Sequence, residues 1–121
     1  MNGPEFLLDT NVVIGHLDGR EAARGLIPER NAPLARFAVS QITRMELLSF
    51  PALTAEAQSQ IALLLSFTRV ILLDERIEAE AIALRRSTRL KLPDAIIAAT
   101  AKVHGLKLLT LDERLRDAAG L

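Results

Sequence analysis

Cysteine, tryptophan and tyrosine are all missing from the 121 residues. Without cysteine the chain can form neither a disulfide nor a thiolate zinc site, a composition that fits a reducing cytoplasm. Four phenylalanines are the only aromatics, which argues against the base-stacking platforms used by RNA-recognition and OB modules. An excess of one charge is missing too. Fifteen Lys and Arg balance fifteen Asp and Glu, so any attraction for nucleic acid must come from where charges are placed. No apolar run approaches the roughly 20 residues that span a bilayer, and no basic stretch leads into a hydrophobic one at the start. The expectation is a soluble, unexported protein with no membrane partner.

What is present is apolar bulk. Hydrophobic residues make up 50% of the chain, enough for residues 1–121 to fold as a single domain around one core. Phe6-Leu7-Leu8 breaks off at Asp9-Thr10-Asn11, and Val12, Val13, Ile14 and Leu17 follow as far as an Asp18-Gly19 turn, the pattern of a buried strand feeding a short helix. Phe37-Ala38-Val39 is a second strand, and Ser40 stands as N-cap to a helix over Gln41 to Phe50 that Pro51 stops. A helix after Thr54 lines up Ala57, Ile61, Leu64, Leu65 and Thr68 on one face, and Val70 to Leu73 reads as the third strand. Asp74 caps a helix whose Ile77, Ala81, Leu84 and Thr88 repeat at three and four residues, with Pro93 as its interruption. The run from Asp94 to His104 closes on Gly105, a natural C′ residue, before the strand Lys107 to Thr110, and Asp112 opens a short last helix. Strands alternating with helices imply an α/β fold: a three-layer αβα sandwich around a central, mostly parallel sheet.

In such a sheet ligands bind beyond the carboxyl ends of the strands, where Asp9 and Asp112 fall. Asp94 at a helix start and Glu46 within a helix join them only if packing brings them there. Each has a plain structural alternative, since Asp is favoured at N-caps and in first turns; Asp94 after Pro93 and Asp74 after the third strand both suit it. Glu46 lies among Ile42, Ser49 and Phe50 at helical spacing, beside an apolar flank, and its local alternative is a capping box with Thr43. If three or four carboxylates do meet, unit charges about 4 Å apart repel by roughly 4 kcal/mol at intermediate dielectric, and a hard divalent cation relieves that repulsion. Oxygen donors without Cys or clustered His point to Mg²⁺, with Mn²⁺ as the other option, rather than zinc. His16 and His104 are isolated, and His104 beside Gly105 suits a helix end.

These residues resemble the motifs of the PIN-domain family and, within it, of the VapC-type toxins of prokaryotic toxin–antitoxin pairs. Leu7-Leu8-Asp9-Thr10-Asn11 resembles the opening motif; Ser40 with Thr43, Glu46 and Leu47 the second; Leu92 to Ala101, with Asp94, the third; Thr110 with Asp112 the last. The aromatic that often follows the last acid is missing from Glu113 to Asp117. The resemblance implies a Mg²⁺-dependent endoribonuclease whose acids are Asp9, Glu46, Asp94 and Asp112, with Asp9, Asp94 and Asp112 on the metal. Thr10, Asn11 and Thr110 support them by hydrogen bonds. It further implies a cut leaving a 5′-phosphate and a 3′-hydroxyl, a homodimer, and control by a cognate antitoxin.

Arg85, Arg86, Arg89 and Lys91, just upstream of Asp94, are candidate RNA phosphate contacts, as is Arg44; a solvated helix end is the alternative for the first four. A PIN-like module that binds RNA or protein without cutting remains a rival reading. Phosphoryl transfer through an aspartyl-phosphate is another, but its best-known form needs a second Asp where Asn11 stands.

Overall fold

The computed structural model describes residues 3–28 and 32–120. Four short strands, β1 (Phe6–Leu8), β2 (Phe37–Ser40), β3 (Arg69–Ile71) and β4 (Lys107–Leu109), form one sheet in the order β3-β2-β1-β4 with every pairing parallel. Among the described residues seven helices pack around it: α1 (Thr10–Leu17), α2 (Glu21–Arg24), α3 (Gln41–Ser49), α4 (Ala55–Phe67), α5 (Glu75–Ser87), α6 (Leu92–His104) and α7 (Glu113–Ala119). This is the αβα sandwich that the alternating pattern implied.

Strand alternation divides the core in two. Leu7, Ala38, Ile71 and Leu108 face a cluster made with Ile77, Ala81 and Leu84 of α5 and Ile97 of α6. Leu8, Phe37, Val39 and Leu109 face the opposite way, against Val12 and Val13 of α1, Leu47 of α3, and Ile61 and Leu65 of α4. Both sheet faces are therefore covered, which is why the strands read as unbroken apolar runs rather than as alternating ones.

Several boundaries differ from the sequence reading, each for a physical reason. The third strand is Arg69–Ile71 rather than Val70 to Leu73: β3 is an edge strand, and Leu72 (63% exposed) and Leu73 (44%) have already left the sheet. Pro93 does not interrupt α5, which ends at Ser87 with Thr88 as its C-cap; it sits in the first turn of α6, where a missing N–H and a fixed φ are tolerated. Thr110 lies one residue beyond β4. Between Asp18 and Phe37, where the sequence offered no periodic signal, the chain forms α2 and a single 3-10 turn, Leu34–Arg36.

Gly15 lets α1 and α2 meet. A Cβ added there would stand 2.8 Å from the Ala23 Cβ, closer than real contacts allow. Gly15→Ala should therefore lower the unfolding free energy by about 1–3 kcal/mol despite alanine's better helix propensity. Denaturant unfolding of the two proteins checks this; an unchanged or higher midpoint would refute the packing argument.

Candidate active site

The chain runs from β1 to β2 to β3 on one side and then returns to place β4 on the other side of β1, so the sheet's switch point lies between β1 and β4. A crevice opens at the carboxyl ends of strands at such a point. Here it is an open cleft of about 600 Å³ whose walls include Asp9, Thr10, Asn11, Glu46, Asp94 and Asp112, together with Arg20 and Leu115. All four acids singled out in the sequence are in this one cleft. Asp74, with the same Leu-Asp-Glu-Arg sequence around it as Asp112, is not in its wall.

Asp9 is the most buried of them, 5% exposed. It ends β1 and caps α1. Its Oδ1 accepts the Thr10 N–H at 2.8 Å, and its Oδ2 accepts the Thr110 hydroxyl at 2.6 Å across the switch point. Thr110 is itself fully buried; its oxygen accepts the Asp112 N–H at 3.0 Å and an Asn11 Nδ2–H at 3.5 Å, while Asn11 Oδ1 accepts the Leu111 N–H at 3.2 Å. Arg116 Nη2 donates to the Thr110 carbonyl at 2.9 Å and ties α7 to the same corner. Burial drives the Asp9 pKa up to about 6, against the pull of the Thr110 and Thr10 hydrogen bonds, and the charges of Asp94 and Glu46 push it the same way.

Glu46 reaches the cleft from the middle of α3. Its Oε1 accepts the Thr10 hydroxyl at 2.5 Å; Thr10 lies 3.2 Å from the Thr43 hydroxyl, and Thr43 lies 3.4 Å from Ser40 Oγ. With one proton per hydroxyl, the consistent direction is Ser40 to Thr43 to Thr10 to Glu46, a chain whose members polarise one another. Ser40 Oγ also accepts the Thr43 N–H at 3.1 Å, so Ser40 is the cap of α3 and the capping box of Thr43 with Glu46 does not form. Thr43, fully buried, thus has a place in the site that sequence spacing alone did not assign.

Asp94 occupies the first turn of α6, whose N-cap is Lys91 with no side-chain cap hydrogen bond, so Asp94 is not the cap, and of its structural alternatives only a favourable first-turn charge remains. Its pKa is raised by burial first, then by Asp112 and Glu46, with Lys91 acting in the opposite direction. Asp112 does cap its helix: Oδ1 accepts the Arg114 N–H at 3.0 Å and the Leu115 N–H at 3.3 Å. Asp74 caps α5 in the same way through the Ile77 N–H at 2.9 Å. The two repeated segments therefore share a local role, and only Asp112 adds a carboxylate to the cleft.

The donors suit a hard divalent cation. All are oxygens, they line one cleft, and burial, with the neighbouring charges acting in the same direction, raises the pKa of two of them. As the side chains stand, no three acids or histidines among the described residues converge on one point as a ready-made metal cage. Mutual repulsion without a cation is a sufficient physical reason for that spread.

The cationic candidates divide. Lys91 is beside Asp94, but Arg85 spends its guanidinium on the Leu90 carbonyl at 2.9 Å, bracing the loop between α5 and α6. Arg44, Arg86 and Arg89 are exposed and outside the cleft wall. Arg20, which no sequence signal singled out, is in it. His104 lies in the last turn of α6, with Nε2 buried and without a hydrogen-bond partner. His16 lines a separate apolar cleft of about 320 Å³ between α1 and α4 with no acid among its described lining residues. Among the described residues no helix is long and apolar enough to cross a membrane.

Comparison with known proteins agrees with this fold. The PIN domain family matches residues 6–121. A toxin–antitoxin complex from Klebsiella pneumoniae contains a chain 35% identical to this one, with a TM-score of 0.76, covering 97% of this chain and 92% of that one. FitAcB from Neisseria gonorrhoeae is 25% identical, with a TM-score of 0.72 and coverage of 96% and 94%. VapBC2 from Rickettsia felis, bound to a DNA fragment from its promoter, shares the fold at 21% identity and a TM-score of 0.68, with coverage of 93% and 92%. No curated protein sequence matches the chain.

Proposed function

The chain belongs to the PIN domain family, and from that premise we propose that it is a metal-dependent endoribonuclease acting as the toxin of a toxin–antitoxin pair. One observation carries the reading: four carboxylates from four separate segments, Asp9, Glu46, Asp94 and Asp112, line one cleft at the sheet's switch point. A structural role accounts for Asp112 and Asp9 in part, through their caps, and for Asp94 in part, through its charge in the first turn of α6, but none of these explains why the four share one cleft.

Asp9, Asp94 and Asp112 would hold Mg²⁺ or Mn²⁺. Such a cation supplies neutralisation of the phosphate's charge and a lowered pKa for water at the site. Thr110 and Thr10 fix the Asp9 carboxylate between them, and the two backbone N–H groups on Asp112 Oδ1 leave its Oδ2 for the cleft. Glu46, held through Oε1 by Thr10, keeps Oε2 to take a proton from the attacking water. The water oxygen joins phosphorus, the bond to the 3′-oxygen breaks, and that oxygen takes a proton from solvent as it leaves. The products carry a 5′-phosphate and a 3′-hydroxyl.

The test is incubation of the purified protein with single-stranded RNA and Mg²⁺, followed by analysis of the product ends. No cleavage, or 2′,3′-cyclic phosphate ends, would overturn the reading. The repeated segment supplies an internal control. Asp112→Asn should lower kcat/KM at least tenfold, about 1.4 kcal/mol of transition-state stabilisation, while Asp74→Asn leaves it near normal, since Asn caps almost as well as Asp. Equal losses in the two variants would mean that the fourth acid is wrongly assigned.

The proposed partners are an antitoxin and a second copy of the chain. Exposed large side chains support both: Met45 and Leu48 on α3, Leu63 and Phe67 on α4, and Leu72 and Leu73 after β3 are each more than 40% exposed. Light scattering should report a dimer at micromolar concentration. A monomer that does not change on adding the product of the neighbouring gene would count against both.

A further inference from the structure

A cleft lined by four carboxylates repels a polyanion, and a cation held by those acids offsets charge at one phosphate only. The neighbouring phosphates of a bound strand need a positive group of their own. Most cations around the cleft are committed elsewhere: Arg85 to the Leu90 carbonyl and Arg116 to the Thr110 carbonyl. Arg20 is different. It is the one Lys or Arg among the described residues that lines the cleft, and its guanidinium makes no ion pair with any described carboxylate.

Its position is also built. The Arg20 N–H donates to the Gly15 carbonyl at 2.8 Å, and the Arg20 carbonyl accepts the Arg24 N–H at 3.1 Å, so the backbone is held on both sides at the α1–α2 corner. The side-chain stem passes beside Gly15, with Arg20 Cδ at ordinary contact distance, 3.7 Å, from where a Cβ there would stand. A guanidinium presented from an anchored stem loses less freedom on binding a phosphate than one on a free surface.

We infer that Arg20 binds a backbone phosphate of single-stranded RNA adjacent to the one that is cut, a substrate contact that rests on the ribonuclease reading above. Arg20 contributes to holding the strand and takes no part in the bond-making step. Its loss should therefore appear in KM and in salt dependence, not in kcat.

The experiment is steady-state cleavage of a short single-stranded RNA with saturating Mg²⁺, over a series of salt concentrations, by wild type, Arg20→Gln and Arg20→Lys. For Arg20→Gln the expected result is a KM raised about tenfold, a kcat within about twofold and an unchanged melting temperature. Its plot of log kcat/KM against log salt should be shallower by about 0.7, the value of one phosphate contact on a single strand. Arg20→Lys keeps the charge and should keep the wild-type slope. Wild-type KM and slope in Arg20→Gln would overturn the inference, as would a fall in kcat at constant KM. So would wild-type kinetics with lost affinity for a protein partner, which would reassign Arg20 to that contact. A wild-type protein that cleaves no RNA would refute the ribonuclease reading itself, a result distinct from wild-type cleavage that is indifferent to Arg20.

Discussion

RNA cleavage is expected to fall at least about a thousandfold in Asp94→Asn, roughly 4 kcal/mol of transition-state stabilisation, and to fall equally in wild type when EDTA removes divalent ions. The size of the effect follows from the role. Asp94 would be a metal ligand, and all that Asn would take from the fold is a charge in the first turn of α6, worth about 1 kcal/mol or less, since no side-chain hydrogen bond caps that helix, whose N-cap is Lys91. Burial and the charges of Asp112 and Glu46 already disfavour its ionised form. Removing that charge should leave the melting temperature of the metal-free protein unchanged or raise it. Kinetics and thermal unfolding measured on the same preparations separate the possibilities. A large drop in melting temperature alongside lost activity would return Asp94 to a structural role, and undiminished cleavage in EDTA would end the metal-dependent mechanism.

Sequence legibility differs between parts of the molecule for reasons of length and period. The helices from α4 onward were readable because thirteen-residue segments such as α5 and α6 repeat their apolar face several times, and Ile77, Ala81 and Leu84 are buried as their spacing required. Strands of three residues carry almost no period, so β3 was displaced by a single apolar run, Val70 to Leu73, that continues past the sheet edge. The acids at Asp9 and Asp112 were legible because a strand end is a fixed address in a parallel sheet. Asp94 and Glu46 were placed by resemblance, since no local pattern states that the first turn of α6 and the middle of α3 meet at the same cleft. Arg20 was invisible for a stronger reason. It is the N-cap of the four-residue α2, in a stretch without periodicity, and only the tertiary packing at the α1–α2 corner brings it to the cleft.

Asp9 links the chemistry of the site to the stability of the fold. Its folded-state pKa of about 6 lies above the ordinary 3.8, so folding without a cation takes up a proton at this carboxyl. The associated stabilisation is fully present below about pH 4 and is lost as pH rises through 6, in the direction opposite to that of a salt-bridged aspartate. A shift of that size corresponds to about 3 kcal/mol, with Asp94 adding in the same direction. In divalent-free buffer the wild-type unfolding free energy should therefore fall between pH 4.5 and pH 7.5. Asp9→Asn should flatten that fall, because it removes the titrating carboxyl while its side-chain oxygen can still accept the Thr10 N–H or the Thr110 hydroxyl. It should nevertheless cleave no RNA. Millimolar Mg²⁺ at pH 7.5 should stabilise wild type through preferential binding to the folded state and leave Asp9→Asn nearly unmoved. Denaturant unfolding at the two pH values, with and without Mg²⁺, provides the measurement. If wild type is no less stable at pH 7.5 than at 4.5 without metal, or if Mg²⁺ stabilises both proteins equally, the buried Asp9 carboxyl is not the strained metal ligand that its surroundings imply.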